Sequence, residues 1–158
     1  MAVTPKETTS TSTPKATTKK ETAKPVSIVV RCKYGKQDVI KAIEDVTKDD
    51  LRLRKLMLGM GFKESRFDAC AVGDNGNAIG AFQIWYKLHK ISKEAATNPV
   101  FAAKWTKDRL IAAGYKSGQI TLAIQQHNGL VKCRKGQPCS NGFWTGYAES
   151  VKQLAKKF

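Results

Sequence analysis

An apolar helical stripe that ends on a carboxylate sets the terms for the rest of the chain. Leu53, Leu56, Met57 and Met60 stand at i, i+3, i+4 and i+7, the spacing of a helix face turned into a core, while Arg52, Arg54 and Lys55 fall elsewhere. Glu64 continues the stripe eleven residues beyond Leu53, almost a whole number of turns, and is expected at the helix C-terminal end on the buried side. A carboxyl group there loses solvation when ionised and faces the negative end of the helix dipole. Both effects favour the protonated form that a proton donor needs. Periodicity alone also accommodates an ordinary surface Glu beyond a frayed helix end.

Two motifs give this carboxylate a context. Glu64-Ser65-x-Phe67 is followed by G-D-x-G-x-A-x-G-x-F-Q-I, which starts at Gly73 and contains Asp74, Gly76, Gly80, Phe82, Gln83 and Ile84. Taken together they resemble the lysozyme-like superfamily, most closely the soluble lytic transglycosylase (SLT) type of peptidoglycan-cleaving domain. In that family a helix ends in Glu-Ser, a loop follows, and a Gly-x-x-Gln-hydrophobic turn lines the sugar cleft. The segment Gln126-His127-Asn128-Gly129 extends the likeness. It is similar to the family's Ala-Tyr-Asn-Ala-Gly motif, with His127 where the family has the Tyr that orients the acid. The resemblance covers roughly residues 36–158.

It implies a mainly α, lysozyme-like helical domain with a sugar-binding cleft, cutting the β-1,4 bond between N-acetylmuramic acid and N-acetylglucosamine. Glu64 is then the general acid. Asp74 is a candidate second carboxylate, although an Asp before Asn-Gly is also a common turn former, which is the preferred reading. With Asp74 in the turn, the 2-acetamido group assists and Glu64 acts as base on the C6 hydroxyl, leaving a 1,6-anhydro product. With Asp74 in the chemistry, water attacks and the enzyme is a muramidase. Ser65, Gln83, His127 and Asn128 are assigned by resemblance to the acid or the sugar. Gly80 is expected where the chain turns closely beside the cleft. Phe82, Trp85 and Tyr86 are candidate flat faces for sugar rings, at least one of them belonging to the core. No metal or organic cofactor is implied.

The composition is compatible with such a domain. A chain of 158 residues, 41% hydrophobic, suits one folded domain, and no run approaches the roughly 18 apolar residues of a membrane helix. Residues 1–25 hold eight Thr, two Ser and three Pro with no aromatic residue, the signature of a disordered tail. Five Lys against Glu7 and Glu21 give that segment +3 of the total +15, so residues 26–158 carry +12. So basic a domain is drawn to a polyanion, whether nucleic acid, an acidic membrane surface or anionic wall polymer, and charge does not choose among them. The resemblance implies peptidoglycan strands and anionic wall polymers, and no specific nucleic acid. The rival class is a non-catalytic basic module for wall polymer or nucleic acid. Arg52, Arg54 and Lys55 hint at such a face, but it would need no acid at the motif position. Residues 26–30, VSIVV, are too short for a signal-peptide core, and an extracellular, envelope or virion-associated monomer is expected.

Cys32, Cys70, Cys133 and Cys139 make an even set in a small basic domain and point to two disulfides. The short C-R-K-G-Q-P-C loop makes Cys133 with Cys139 the natural local pair and leaves Cys32 with Cys70, one of three connectivities. No C-x-x-C or finger-like histidine spacing points to zinc.

In chain order, Val39, Ile43 and Val46 predict a helix over 36–47, and residues 47–50 supply caps for the helix into Glu64. Residues 66–77 read as loop and 77–85 as a short buried helix or turn. Asn98-Pro99 starts a helix with a face of Phe101, Trp105 and Ala112, ending by Gly114. Ser117 is the expected cap of the next helix, with its stripe of Ile120, Ala123, Ile124 and His127. Trp144, Tyr147, Val151, Leu154 and Phe158 predict a last helix whose stripe reads as core. Weak strand patterns appear only at 27–33 and around the Cys133 loop.

Overall fold

Asp50 starts the helix that leads to Glu64: its side chain accepts the Leu53 backbone N–H at 2.9 Å, satisfying a donor that has no partner inside the helix. The cap is itself anchored, by the Tyr115 hydroxyl at 3.0 Å and the Lys116 ammonium at 2.7 Å. The computed structural model describes residues 32–158. The tail at 1–25, the apolar run at 26–30 and nearly all of the candidate strand at 27–33 lie outside them.

The described residues form a mainly α fold of six helices with little sheet: α1 (Lys36–Val46), α2 (Leu51–Ser65), α3 (Lys93–Thr97), α4 (Pro99–Ala112), α5 (Ile120–His127) and α6 (Gly146–Ala155). Strands β1 (Val72–Gly73), β2 (Ala78–Ile79) and β3 (Ile84–Trp85) form one small antiparallel sheet, and β4 (Cys139–Ser140) pairs with β5 (Phe143–Trp144). Helix α2 runs through the middle of the core. Leu53, Leu56, Met57 and Met60 are buried as the stripe predicts, and Leu58, Gly59 and Gly61 are buried on its other sides. Helix α6 lies along α2, and α4 lies along α1. The α2–α6 crossing is close because Gly59 has no side chain; a Cβ there would stand 2.8 Å from the Val151 carbonyl oxygen. The disulfides join Cys32 to Cys70 and Cys133 to Cys139, with Cα separations of 5.6 and 5.9 Å.

One open reading is resolved and two expectations are corrected. Residues 77–85 contain no helix: β2 and β3 pair with Ile79 opposite Ile84, joined by a turn in which Gly80 and Gln83 have φ of +83° and +48°. A short apolar run does not distinguish strand from helix by periodicity, and the left-handed backbone at both positions decides for the turn. The core face of α4 is Ala102, Ala103, Thr106 and Leu110, not Phe101, Trp105 and Ala112. Small residues let α4 lie close against α1, which leaves Phe101 exposed and Trp105 half-buried. Ser117 does not cap α5; its hydroxyl bonds the Gly114 carbonyl at 3.0 Å, and Gln119 occupies the N-cap without a side-chain bond. The short helix α3, capped by Ser92, had no strong periodic signal.

Candidate functional site

Glu64 occupies the last turn of α2, half-buried, on the lining of an open pocket of about 600 Å³. From α6, Tyr147 donates its hydroxyl to Glu64 Oε1, a contact between residues 83 apart in the chain. The close α2–α6 crossing at Gly59 places the two side chains together. Burial, and then the adjacent Glu64 charge, push the Tyr147 phenol far above its ordinary range, so it stays a donor at any physiological pH. Oε2 of Glu64 has no hydrogen-bond partner among the described residues, which leaves it available for proton exchange with a ligand. Tyr147 is in the predicted core stripe and is indeed buried, but its hydroxyl belongs to the site. The signal was the hydroxyl itself, since a buried Tyr O–H ordinarily finds a polar partner.

Around the carboxylate, residues 71–83 are held in place by side chains of the motifs. Ser65 donates to the Ala81 carbonyl at 2.9 Å and accepts the Asp68 N–H at 3.0 Å. His127 Nε2 lies 2.8 Å from the Phe82 carbonyl oxygen and, facing an acceptor, carries the ring proton. Burial holds the His127 imidazole below its ordinary value against the opposing pull of Glu64, so the ring is neutral near pH 7. Gln83 donates its side-chain amide to the Gly80 carbonyl at 3.0 Å and to the Ala71 carbonyl at 3.4 Å. Each of these residues fixes backbone, and the turn between β2 and β3 is thereby clamped against the ends of both α2 and α5.

Six of the residues expected from sequence share the pocket lining: Glu64, Asp74, Gln83, Trp85, His127 and Asn128. Ser65, Gly80, Phe82 and Tyr86 do not line it. Phe82 is 0% exposed and offers no ring face to a ligand. Gly80 sits where a Cβ would come within 2.2 Å of the Ala96 carbonyl oxygen, a close approach made by α3. Tyr86 is half-buried against the core, with the Lys87 and Lys93 ammoniums over its ring. Asp74 makes its turn through the backbone, where its carbonyl accepts from the Asn77 N–H and side-chain amide at 3.1 and 3.0 Å. Its carboxylate has no hydrogen bond among the described residues.

The sequence reading missed the opposite wall. Trp105 and Arg109 from α4, with Leu88 and His89 from the segment after β3, line the pocket beside Trp85. Trp85 and Leu88 are 46% and 70% exposed. Their signal is the i, i+4 spacing of Trp105 and Arg109, which puts them on one face of α4. Among the described residues no three His, Cys, Asp or Glu side chains are placed to hold a metal, and no helix is long and apolar enough to cross a membrane.

No family model, curated protein or solved structure matches this chain. The site's chemistry therefore rests on its own geometry. One carboxylate with a fixed and a free oxygen can give and take a proton, and exposed apolar rings beside amide side chains suit a ligand with both flat apolar faces and polar edges.

Proposed function

We propose that the chain is a peptidoglycan-degrading glycosidase that cleaves the β-1,4 bond between N-acetylmuramic acid and N-acetylglucosamine as a lytic transglycosylase. The observation that carries this reading is Glu64 in the open pocket, one oxygen held by Tyr147 and the other free, with Gln83 and Asn128 on the same lining. The protonated Glu64 gives its proton to the glycosidic oxygen as the C1–O bond breaks, and the 2-acetamido carbonyl oxygen bonds to C1. The carboxylate then takes the proton from the C6 hydroxyl as that oxygen attacks C1 and displaces the acetamido oxygen. A 1,6-anhydro end forms, and Glu64 is protonated again without consuming water. Tyr147 orients the acid, and Asn128, on the pocket lining at the C-terminal end of α5, holds the acetamido group in this reading.

A second reading is supported by the position of Asp74 on the same lining with its carboxylate unpaired among the described residues. There Asp74 acts as the second carboxylate, water attacks, and the enzyme is a muramidase. Mass spectrometry of soluble products released from purified peptidoglycan separates the two. Anhydro-muropeptides from the parent and none from Glu64→Gln support the transglycosylase; reducing ends that also vanish in Asp74→Asn support the hydrolase. No product from the parent on several wall types refutes both and leaves a non-catalytic wall-binding module.

A further inference from the structure

Arg109 differs from the other cations of the fold in where it is held. Lys41, Lys104 and Lys116 form ion pairs on the surface, whereas Arg109 lines the pocket and has neither an ion pair nor a side-chain hydrogen bond among the described residues. It is nevertheless positioned. Its guanidinium carbon lies 5.4 Å from the centroid of the Trp105 ring, one helical turn earlier on α4. Trp105 is in turn packed against the His89 ring, with centroids 4.9 Å apart at 58°. A guanidinium held over an aromatic face by cation–π attraction keeps its fork of N–H donors free to meet a carboxylate. Burial and then the Arg109 charge hold the His89 imidazole below its ordinary value, so near pH 7 this wall carries one fixed positive charge.

Trp85 and Leu88 extend the same wall as exposed apolar surface. The pocket thus joins a proton-exchanging carboxylate, flat apolar faces and a pre-positioned cation. We propose that Arg109, held over the Trp105 ring, is a carboxylate-recognising subsite that selects glycans bearing an acid. Such an acid is either a free lactyl carboxylate or a carboxylate of the stem peptide. This inference rests on the glycosidase reading given above and adds to it a preference over neutral N-acetylglucosamine polymers.

The test is calorimetric binding by the full chain carrying Glu64→Gln, which prevents turnover, with and without Arg109→Gln. Three tetrasaccharide ligands are compared: peptide-free peptidoglycan fragments with free lactyl acids, fragments carrying stem peptides, and chitotetraose, which has no carboxylate. Loss of a charge-assisted pair is expected to weaken binding of an acid-bearing ligand roughly 10- to 100-fold. Chitotetraose affinity is expected to change less than about twofold, since hydrogen bonds to neutral hydroxyls are worth much less. Weakening confined to the peptide-free ligand assigns the lactyl acid, and weakening confined to the peptide-bearing one assigns the stem. Arg109→Lys is expected to recover only part of the affinity, because an ammonium lacks the fork. Equal affinity of the two proteins for every ligand overturns the subsite and leaves the glycosidase reading standing. Equal weakening for all three ligands also overturns it, as would a parent that binds none, an outcome that overturns the glycosidase reading as well.

Discussion

Tyr147 holds one oxygen of Glu64, and removing its hydroxyl alone tests that arrangement. In Tyr147→Phe the ring still fills its buried site, so the fold is expected to persist while kcat on peptidoglycan falls roughly 10- to 100-fold, the range for a hydrogen bond to a charged group. KM should change little, and an unchanged kcat and pH profile would mean that Tyr147 serves packing only. His127 supplies a second prediction. Its folded-state pKa is lowered, as is that of His89, so the unfolded chain binds protons near pH 6.5 that the fold refuses. Stability is then unaffected above about pH 7 and falls as pH drops below the ordinary histidine value. Thermal unfolding between pH 7.5 and 5 should show this slope, and it should flatten in His127→Gln, whose amide can replace the Nε2 donor to Phe82. A slope unchanged in that variant would assign the effect to other groups.

The crossing of α2 and α6 brings the Tyr147 hydroxyl to Glu64, and Gly59 sets its distance. A methyl group there would meet the Val151 carbonyl oxygen at 2.8 Å and the Ala155 nitrogen at 3.1 Å, both backbone atoms that move only with the helix. Gly59→Ala is expected to cost about 1–3 kcal/mol of stability, typical of overpacking, and to lower activity more than surface substitutions do. Denaturant midpoints and product release measured on the same variant check both effects. Gln125, on α5, belongs to the same joint. Although 0% exposed, it bonds the Gly129 carbonyl and accepts the Ala148 N–H, both at 3.3 Å, satisfying a donor in the first turn of α6 beside Tyr147. The sequence shows it only as one of two adjacent glutamines.

At the scale of the molecule, the two disulfides close loops of very different length. Cys32–Cys70 spans 38 residues and Cys133–Cys139 spans 6. By loop-closure entropy, replacing the first pair with serines should cost about 4 kcal/mol and the second about 2 kcal/mol, read as shifts in urea unfolding. Equal losses would show that native-state contacts of the Cys133–Cys139 hairpin, not chain entropy, set its contribution. The net charge of +15 bears on partners in the same way. Retention on anionic wall polymer should weaken between about 0.05 and 0.5 M salt as exposed lysines are screened.

The sequence by itself determined what repeats locally. The stripe from Leu53 to Met60 is buried as read, Glu64 falls at the end of its helix, Asn98 and Asp50 cap where expected, and the short Cys133–Cys139 loop closes on itself. Periodicity and capping depend on neighbours within a turn or two, and one chain contains that information. Periodicity says which face is buried but not what it meets. The partner of Glu64, the turn of Trp105 and Arg109 toward the pocket, and the use of Ser65, Gln83 and His127 to clamp backbone were therefore decided by tertiary structure. The Glu64–Tyr147 pair follows from how closely α2 meets α6 at Gly59, and the outward turn of Trp105 and Arg109 from the burial of Ala102, Ala103 and Thr106 on the other face of α4.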